Sequence, residues 1–161
     1  IPLRSQIEAI SDDLIVNLSR QRDHSQILYL NLFNNQIKHM KHLDKLTNLQ
    51  TLILSFNQIE QIDGLNNCTQ LKRLDLNHNF IKEALNVECL KALISLDLRH
   101  NWIMDTSGLN ILVSCCTGIK ELGLKFNPLS YKTNYRINIF DLIPALQKLD
   151  GLPLMDKDRE I

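Results

Sequence analysis

Two histidines and two aspartates recur at a fixed spacing in the middle of the chain. His78 and His100 are 22 residues apart, as are Asp75 and Asp97. If the chain repeats with that period, the four side chains become neighbours, and imidazole with carboxylate is a ligand set that zinc accepts. Duplication of a structural unit also places like residues side by side without any ligand. We therefore expect no metal site and no bound cofactor.

The sequence offers no recognisable arrangement of catalytic groups. It contains no Gly-rich phosphate loop and no nucleophile elbow. The four cysteines form no Cys-x-x-Cys pair, and we expect them to be free thiols in a reducing compartment; they are Cys68, Cys89, Cys115 and Cys116. We predict that the chain is not an enzyme.

An eleven-residue pattern, apolar-x-x-Leu-x-Leu-x-x-Asn-x-apolar, occurs five times. The first three intervals between copies are 22 residues and the fourth is 26. The copies span residues 27–37, 49–59, 71–81, 93–103 and 119–129. A fixed period of this length predicts a solenoid of stacked units. The pattern resembles that of leucine-rich repeats, and this resemblance implies an α/β right-handed solenoid with a parallel sheet on its concave face.

Each position of the pattern has a structural role. The two leucines are two residues apart, so both point to the interior from a short strand. The asparagines are expected to bond backbone groups where the strand bends away; they are Asn35, Asn57, Asn79, Asn101 and Asn127. The return segments supply further core residues, among which we place Leu85, and Cys68 and Cys116 take positions that leucine holds elsewhere. The longer fourth return, from Asp105 to Gly118, predicts an extra turn of helix.

Both ends of the chain have the features of caps, which keep water from the terminal repeats of a solenoid. Ser11 predicts the start of a helix, with Leu14 and Leu18 facing the first repeat. Residues 135–150 predict a short helix, a turn and a last half-repeat. We predict a single domain over residues 1–161, with an N-terminal helical cap (1–26), five repeats (27–130) and a C-terminal cap (131–161).

Composition and charge limit the kinds of partner. Lys and Arg number 18 and Asp and Glu number 18, giving zero formal net charge. Nucleic-acid binding normally needs a basic excess, and no apolar run approaches the ~20 residues of a membrane-spanning helix. We expect neither nucleic acid nor membrane as a partner. The chain begins at Ile1 rather than Met, as expected of a piece of a longer protein.

Three stretches resemble known families. The 22-residue period, with residues 46–50 (LTNLQ) leading into a repeat, resembles the intracellular class typified by the protein phosphatase-1 regulatory subunit. That class includes an axonemal dynein light chain and the spliceosomal A-prime protein. Residues 135–151 are similar to its C-terminal cap. Residues 10–18 (ISDDLIVNL) resemble the opening helix of the repeats in centriolin and related ciliary proteins.

Two surfaces are candidates for protein binding. Outward positions of the strands form the first; on this concave face we single out Tyr29, Phe33, Ile53, Arg73, Asp75, Asp97, Arg99 and Lys125. We expect Tyr29, Phe33 and Ile53 to be exposed, because surface aromatic and apolar residues anchor interfaces. The second surface is the loop ridge after the asparagines, where Phe80 and Trp102 are expected to form either an exposed pair or local packing.

The resemblance implies a non-enzymatic scaffold that binds another protein in a ciliary, centrosomal or cytoskeletal assembly. Its expected location is the cytoplasm, with the cilium or centrosome as the candidate site. Two alternatives stay open: a regulatory subunit that docks on an enzyme such as a protein phosphatase, and a nuclear ribonucleoprotein adaptor. The identity of the partner and the oligomeric state are not encoded in any pattern of the sequence.

Overall fold

A computed structural model describes residues 9–159 of the chain. Six parallel strands form one sheet in sequence order. The strands are β1 (Tyr29–Asn31), β2 (Thr51–Ile53), β3 (Arg73–Asp75), β4 (Ser95–Asp97), β5 (Glu121–Gly123) and β6 (Lys148–Leu149). The five strands predicted from the repeats are confirmed, and the last half-repeat adds β6 as a sixth.

The helices lie at the two ends and in the fourth return segment. They are α1 (Asp12–Ser19), α2 (Asn110–Cys115) and α3 (Tyr135–Leu142). Within residues 9–159, short 3-10 turns span His24–Gln26, Thr106–Leu109, Pro128–Tyr131 and Asp156–Arg159. The turn at Thr106–Leu109 runs into α2, which confirms the helical insertion predicted in the fourth return. No helix among the described residues has the length and apolar character needed to span a membrane.

The core is a stack of similar layers, one from each repeat. In the third repeat Leu74 and Leu76 point inward from the strand, and the return buries one residue in every three. The return positions are Ile81, Ala84, Val87, Leu90 and Leu93, all with no exposed surface. The prediction that Leu85 lies in the core is wrong. Leu85 is 42% exposed, because Ala84 takes the inward position. The buried residues of the third return are therefore evenly spaced, and Leu85 lies on the outside.

Four of the five predicted asparagines close the backbone hydrogen bonds between layers, whereas Asn35 in the first repeat is half-buried and its amide donates to the Phe33 carbonyl oxygen of the same repeat. In the third repeat the Asn79 amide donates to the carbonyl oxygens of Leu54 and Leu76, both at 3.0 Å. Its Oδ1 accepts from the Ile59 N–H at 3.0 Å. Asn57, Asn101 and Asn127 are buried and bonded in the same way. Buried backbone groups at the end of each strand are thus satisfied by a side chain from the next layer.

The N-terminal cap follows the predicted start, and of its two predicted inward leucines Leu14 packs against the core while Leu18 does not. Ser11 is the N-cap of α1, and its hydroxyl accepts from the Leu14 N–H at 3.1 Å. Ile15 is fully buried, whereas Leu18 is 46% exposed, so the prediction that Leu18 faces the first repeat is wrong. The helix ends at Ser19 and Arg20 has a left-handed backbone, which leaves Leu18 on the last turn with only one turn of α1 packed inward. Residues 1–8 of the predicted cap lie outside the described residues.

The C-terminal cap replaces a missing next repeat with side chains. Asp150 Oδ1 accepts from the N–H groups of Leu124 (2.7 Å) and Lys125 (2.8 Å), and its Oδ2 accepts from the Tyr135 hydroxyl at 2.7 Å. Arg136 donates to the carbonyl oxygens of Leu149 and Pro153 and to Asp158. Helix α3 is thereby tied to β6 and to the chain that follows it, and the edge of the sheet is covered.

Candidate functional site

The outward side chains of the sheet form three columns, because the parallel register sets equivalent residues side by side. The first column is Tyr29, Thr51, Arg73, Ser95, Glu121 and Lys148. The second column is Asn31, Ile53, Asp75, Asp97 and Gly123. The third column is Phe33, Ser55, Asn77, Arg99 and Lys125, where backbone hydrogen bonds between layers continue just past the strands. We call the surface formed by these columns the concave face.

The N-terminal half of the concave face carries exposed aromatic rings. Tyr29 is 56% and Phe33 is 49% exposed. Ile53, which we expected to be exposed with them, is 8% exposed, so that expectation is wrong. It lies in the second column between Asn31 and Asp75, and side chains on the inner side of a curved sheet crowd one another. The N-terminal half of the concave face therefore has two exposed rings, and its aliphatic residue Ile53 is buried.

The C-terminal half carries charges held in fixed positions. Arg99 makes a two-point contact with Asp97, from Nε to Oδ1 at 3.0 Å and from Nη2 to Oδ2 at 2.8 Å. The Asn77 amide bridges the two acids, reaching Asp75 Oδ1 at 2.9 Å and Asp97 Oδ2 at 3.2 Å. Arg73 and Lys125 are exposed beside this group. These charged side chains already hold one another in place. A partner that binds them therefore loses less free energy to ordering side chains at the interface.

The two acids of this group differ in their proton affinity. Burial raises the pKa of Asp75, and the neighbouring Asp97 carboxylate adds to the rise. Burial also pushes the pKa of Asp97 upward, but the hydrogen bonds and charge of Arg99 outweigh that effect and hold the pKa below its usual range. Asp97 is therefore the anchored anion, whereas the carboxyl of Asp75 holds its proton more tightly than an ordinary aspartate does.

A glycine opens the last part of the concave face. Gly123 is the second-column residue of β5, and a Cβ there would lie 2.8 Å from Asp97 Oδ1 and 3.0 Å from Arg99 Cγ. Any side chain at this position would displace the Asp97–Arg99 pair. A cleft of about 420 Å³ lies over it, with Arg73, Asp97, Glu121 and Lys148 among its walls.

A fourth column of stacked rings lies one residue before the asparagines; of it we predicted only that His78 and His100 are neighbours. Ring centroids are 4.0 Å apart between Phe56 and His78, 3.8 Å between His78 and His100, and 4.3 Å between His100 and Phe126. Phe33 meets the end of the stack edge-on at 5.3 Å from Phe56. We call Phe56, His78, His100 and Phe126 the aromatic stack. Its signal was present in the sequence, because the residue before Asn is aromatic or His in each of repeats two to five.

The stack rests on a strained backbone. All four of its residues have positive φ, between 55° and 63°. A left-handed backbone costs a residue with a side chain roughly 1–2 kcal/mol, whereas Gly or Asn tolerates it. Ring stacking offsets that cost, at roughly 0.5–1.5 kcal/mol for each pair. The His78 Nδ1 lies 2.6 Å from Asn77 Oδ1 and donates to it, which leaves Nε2 as the acceptor of the neutral ring.

The histidines and aspartates that opened the sequence analysis have other partners. His78 and His100 stack face to face, and Asp97 pairs with Arg99. Among residues 9–159, no group of three or more His, Cys, Asp or Glu side chains is placed to hold a metal ion.

The loop ridge presents its two aromatic residues to solvent. Phe80 is 47% and Trp102 is 53% exposed. Both contribute to a groove of about 580 Å³ between repeats two, three and four. In the described part of the chain neither ring stacks on another ring, so the expected exposure is observed but a direct aromatic pair is not.

Comparison with known proteins agrees with the architecture. The family model for leucine-rich repeats (two copies) matches residues 47–89. A chain in the crystal structure of the Drosophila melanogaster SNF/U2A' complex is 32% identical, with a TM-score of 0.78, over 94% of this chain and 88% of that one. The chain belongs to the leucine-rich repeat family. No curated protein matches this leucine-rich repeat chain significantly.

Two further solved structures share the leucine-rich repeat fold over longer chains. A leucine-rich repeat protein of Leptospira interrogans is 25% identical, with a TM-score of 0.63, over 76% of this chain and 31% of its own. Internalin C2 of Listeria monocytogenes is 28% identical, with a TM-score of 0.62, over 81% of this chain and 53% of its own. The fold class predicted from the repeats is confirmed.

Proposed function

We propose that this chain is a non-enzymatic scaffold that docks a partner protein through its concave face. The observation that carries the proposal is the division of that face. Tyr29 and Phe33 stand exposed at one end, and the Asp97–Arg99 pair is fixed at the other. Exposed aromatic rings anchor interfaces, while ordered charges select the partner and its orientation.

The partner that this surface suits is a protein rather than a nucleic acid. The formal net charge of the chain is zero. On the concave face Arg99 and Lys125 lie in the third column beside Asp75 and Asp97 of the second column, and Arg73 lies in the first. Acids therefore flank the cations, and no basic stripe free of acids follows these columns. Phosphate backbones bind by counterion release, which needs such a stripe. A partner element with apolar side chains at one end and paired charges at the other fits both halves of the face.

Three assemblies are candidates for this scaffold. The similarity to a chain in the SNF/U2A' complex favours an adaptor in a nuclear ribonucleoprotein. A ciliary, centrosomal or cytoskeletal assembly, with a cytoplasmic location, rests only on the resemblance of residues 10–18 to centriolin-like helices. A regulatory subunit docked on a protein phosphatase rests on the 22-residue repeat class. We rank the ribonucleoprotein adaptor first, because its support covers nearly the whole chain.

Proximity labelling in cells tests the docking surface and separates the assemblies. The chain would be compared with a Tyr29→Ser/Phe33→Ser variant and with a Tyr131→Ser control, since Tyr131 is 75% exposed and lies outside the three columns. The double variant should stay folded, with a denaturation midpoint lowered at most slightly by loss of the edge-on contact between Phe33 and Phe56. It should lose the labelled partners, with affinity for a purified partner falling about 30-fold or more, equivalent to ~2 kcal/mol. The control should label normally.

The identity of the labelled proteins then decides between ribonucleoprotein components, centrosomal proteins and a phosphatase catalytic subunit. Unchanged labelling by the double variant would overturn the concave face as the docking surface.

A further inference from the structure

A second groove lies on the loop ridge and shares no residue with the three columns of the concave face. Its volume is about 580 Å³. We call it the ridge groove, and its walls include Glu60, Phe80, Lys82, Glu83, Leu85 and Trp102. They come from three successive repeats, so the stacked returns hold them in place.

The apolar walls of the ridge groove are available for contact. Phe80 and Trp102 are about half exposed, and Leu85 is 42% exposed because Ala84 holds the inward position of its return. Across residues 9–159, the only cations placed over rings are Lys125 on Phe126 and Arg136 on Phe140. Within these residues, therefore, no cation covers the Phe80 ring or the Trp102 ring.

The charged walls of the groove carry an acidic excess. Glu60 and Glu83 supply two carboxylates and Lys82 one ammonium, in a chain whose overall formal charge is zero. In the part of the chain that the structure describes, the ion pairs involve other residues, and neither carboxylate accepts a hydrogen bond from a side chain. Two unpaired acids beside two open aromatic rings give the groove a chemical preference for one kind of group.

We infer that the ridge groove binds an arginine or lysine side chain from an apolar-flanked segment of a protein partner. The cation would lie against the Trp102 or Phe80 ring, whose face attracts positive charge. Glu60 or Glu83 would accept its N–H groups in a charge-assisted hydrogen bond. Leu85 would cover the methylene stem of the side chain and the apolar neighbours in the segment. This contact is separate from the concave face, so it does not depend on the proposed function.

Trp102 makes the groove directly observable, because it is the single tryptophan of the chain. The whole chain would be titrated with the peptide acetyl-Ala-Leu-Arg-Leu-Ala-amide while the fluorescence of Trp102 is recorded. Two matched peptides replace the arginine with norleucine, which keeps an apolar stem without charge, or with glutamate. The arginine peptide should bind at least about tenfold more tightly than the norleucine peptide, and the glutamate peptide should bind most weakly.

Matched variants of the chain assign the preference to the groove. Glu60→Gln/Glu83→Gln should remove most of the preference for arginine, and Lys82→Gln should increase it. All three positions are exposed, so circular dichroism and the denaturation midpoint should not change. Phe33→Ser, on the concave face, should leave the titration as it is, which separates this inference from the proposed docking surface.

Several results would overturn the inference. Equal affinity for the arginine and norleucine peptides would make the groove an apolar surface without charge selection. A preference for arginine that persists in Glu60→Gln/Glu83→Gln would remove the carboxylates as its source. No fluorescence change with any of the three peptides, up to their solubility limits, would mean that the groove binds no such segment.

Discussion

In repeats two to five, two adjacent residues have opposite environments, as His78 and Asn79 show. Asn79 is 3% exposed and its amide satisfies backbone groups of two layers. His78 is half-buried, has a left-handed backbone, and contacts its neighbours through ring faces. The same contrast separates Asn57 from Phe56 and Asn127 from Phe126. The asparagine column is buried and structurally required, whereas the aromatic stack faces outward on a strained backbone.

The difference between the two columns shows which kind of residue the solenoid requires. An unpaired buried backbone group costs about 1–3 kcal/mol, so few side chains can replace the asparagine. The outward position could be relaxed by Gly or Asn, yet four successive repeats have an aromatic ring or His there. We expect the interior column to carry stability and the outward columns to carry binding.

The largest difference should appear in the reactivity of the thiols. Burial raises the pKa of Cys68 and of Cys116 to about 11, whereas Cys89 is exposed. Only the thiolate reacts, so at pH 8 the two interior cysteines should react on the order of 100-fold more slowly than an ordinary thiol with a pKa near 8.5. Labelling followed by mass spectrometry measures each rate, and all four should react alike in denaturant. Rapid labelling of Cys68 in the native chain would contradict its interior position.

Substitution within the asparagine column should destabilise the fold strongly. Asn79→Ala removes the amide that bonds Leu54, Leu76 and Ile59, and it leaves buried backbone groups without partners. The free energy of unfolding should fall by about 3 kcal/mol or more. Urea denaturation followed by circular dichroism measures the change. A loss below about 1 kcal/mol would mean that water or a neighbouring group replaces the amide.

Substitution of the adjacent residue should have a much smaller effect. His78→Asn removes two ring contacts but suits the left-handed backbone, so the losses and the relief of strain largely cancel. We expect the free energy of unfolding to change by about 1 kcal/mol or less, in the same assay as Asn79→Ala. Equal destabilisation by the two variants would show that the aromatic stack is as structural as the interior column.

The smallest expected effect is a dependence of stability on pH. Burial and the positive charge of His100 lower the pKa of His78. The unfolded chain therefore binds a proton more readily than the folded one, and stability falls as pH drops below the ordinary histidine value near 6.5. Denaturation at pH 7.5 and 5.5 should show His78→Asn gaining stability relative to the original chain at the lower pH. A constant difference between the two chains would place His78 outside this effect.

Most of the buried residues could be predicted from the spacing of leucines and other repeat positions in the sequence. The leucines two residues apart predicted the strands, and Cys68 and Cys116 were placed in the core by their repeat positions. Both assignments depend only on which way a residue points within one repeat. The same rule misplaced Leu85 and Leu18, because a choice between adjacent apolar residues depends on how each return and cap is rotated against its neighbour.

The exposure and pairing of the outward side chains could be predicted less well from the same spacing. The strand period predicted that Ile53 points away from the core, and it does, but it is buried by the neighbouring columns. The aromatic stack as a whole was not predicted, because its rings are aligned by a left-handed backbone conformation that occurs only after the strand has ended. The space at Gly123 depends on a pair, Asp97 with Arg99, that lies in the preceding repeat.

The sequence by itself determined the repeat length, the parallel sheet, the interior leucines and the asparagine column. These follow from a pattern of period two within each strand and of 22 residues between layers, and burial leaves few alternatives. Only the tertiary structure decided which outward side chains are exposed and how they pair. Each repeat encodes the direction of its own side chains, but the exposure of Ile53, the pairing of Asp97 and the ridge groove depend on distances between repeats. Those distances exist only once the layers are stacked.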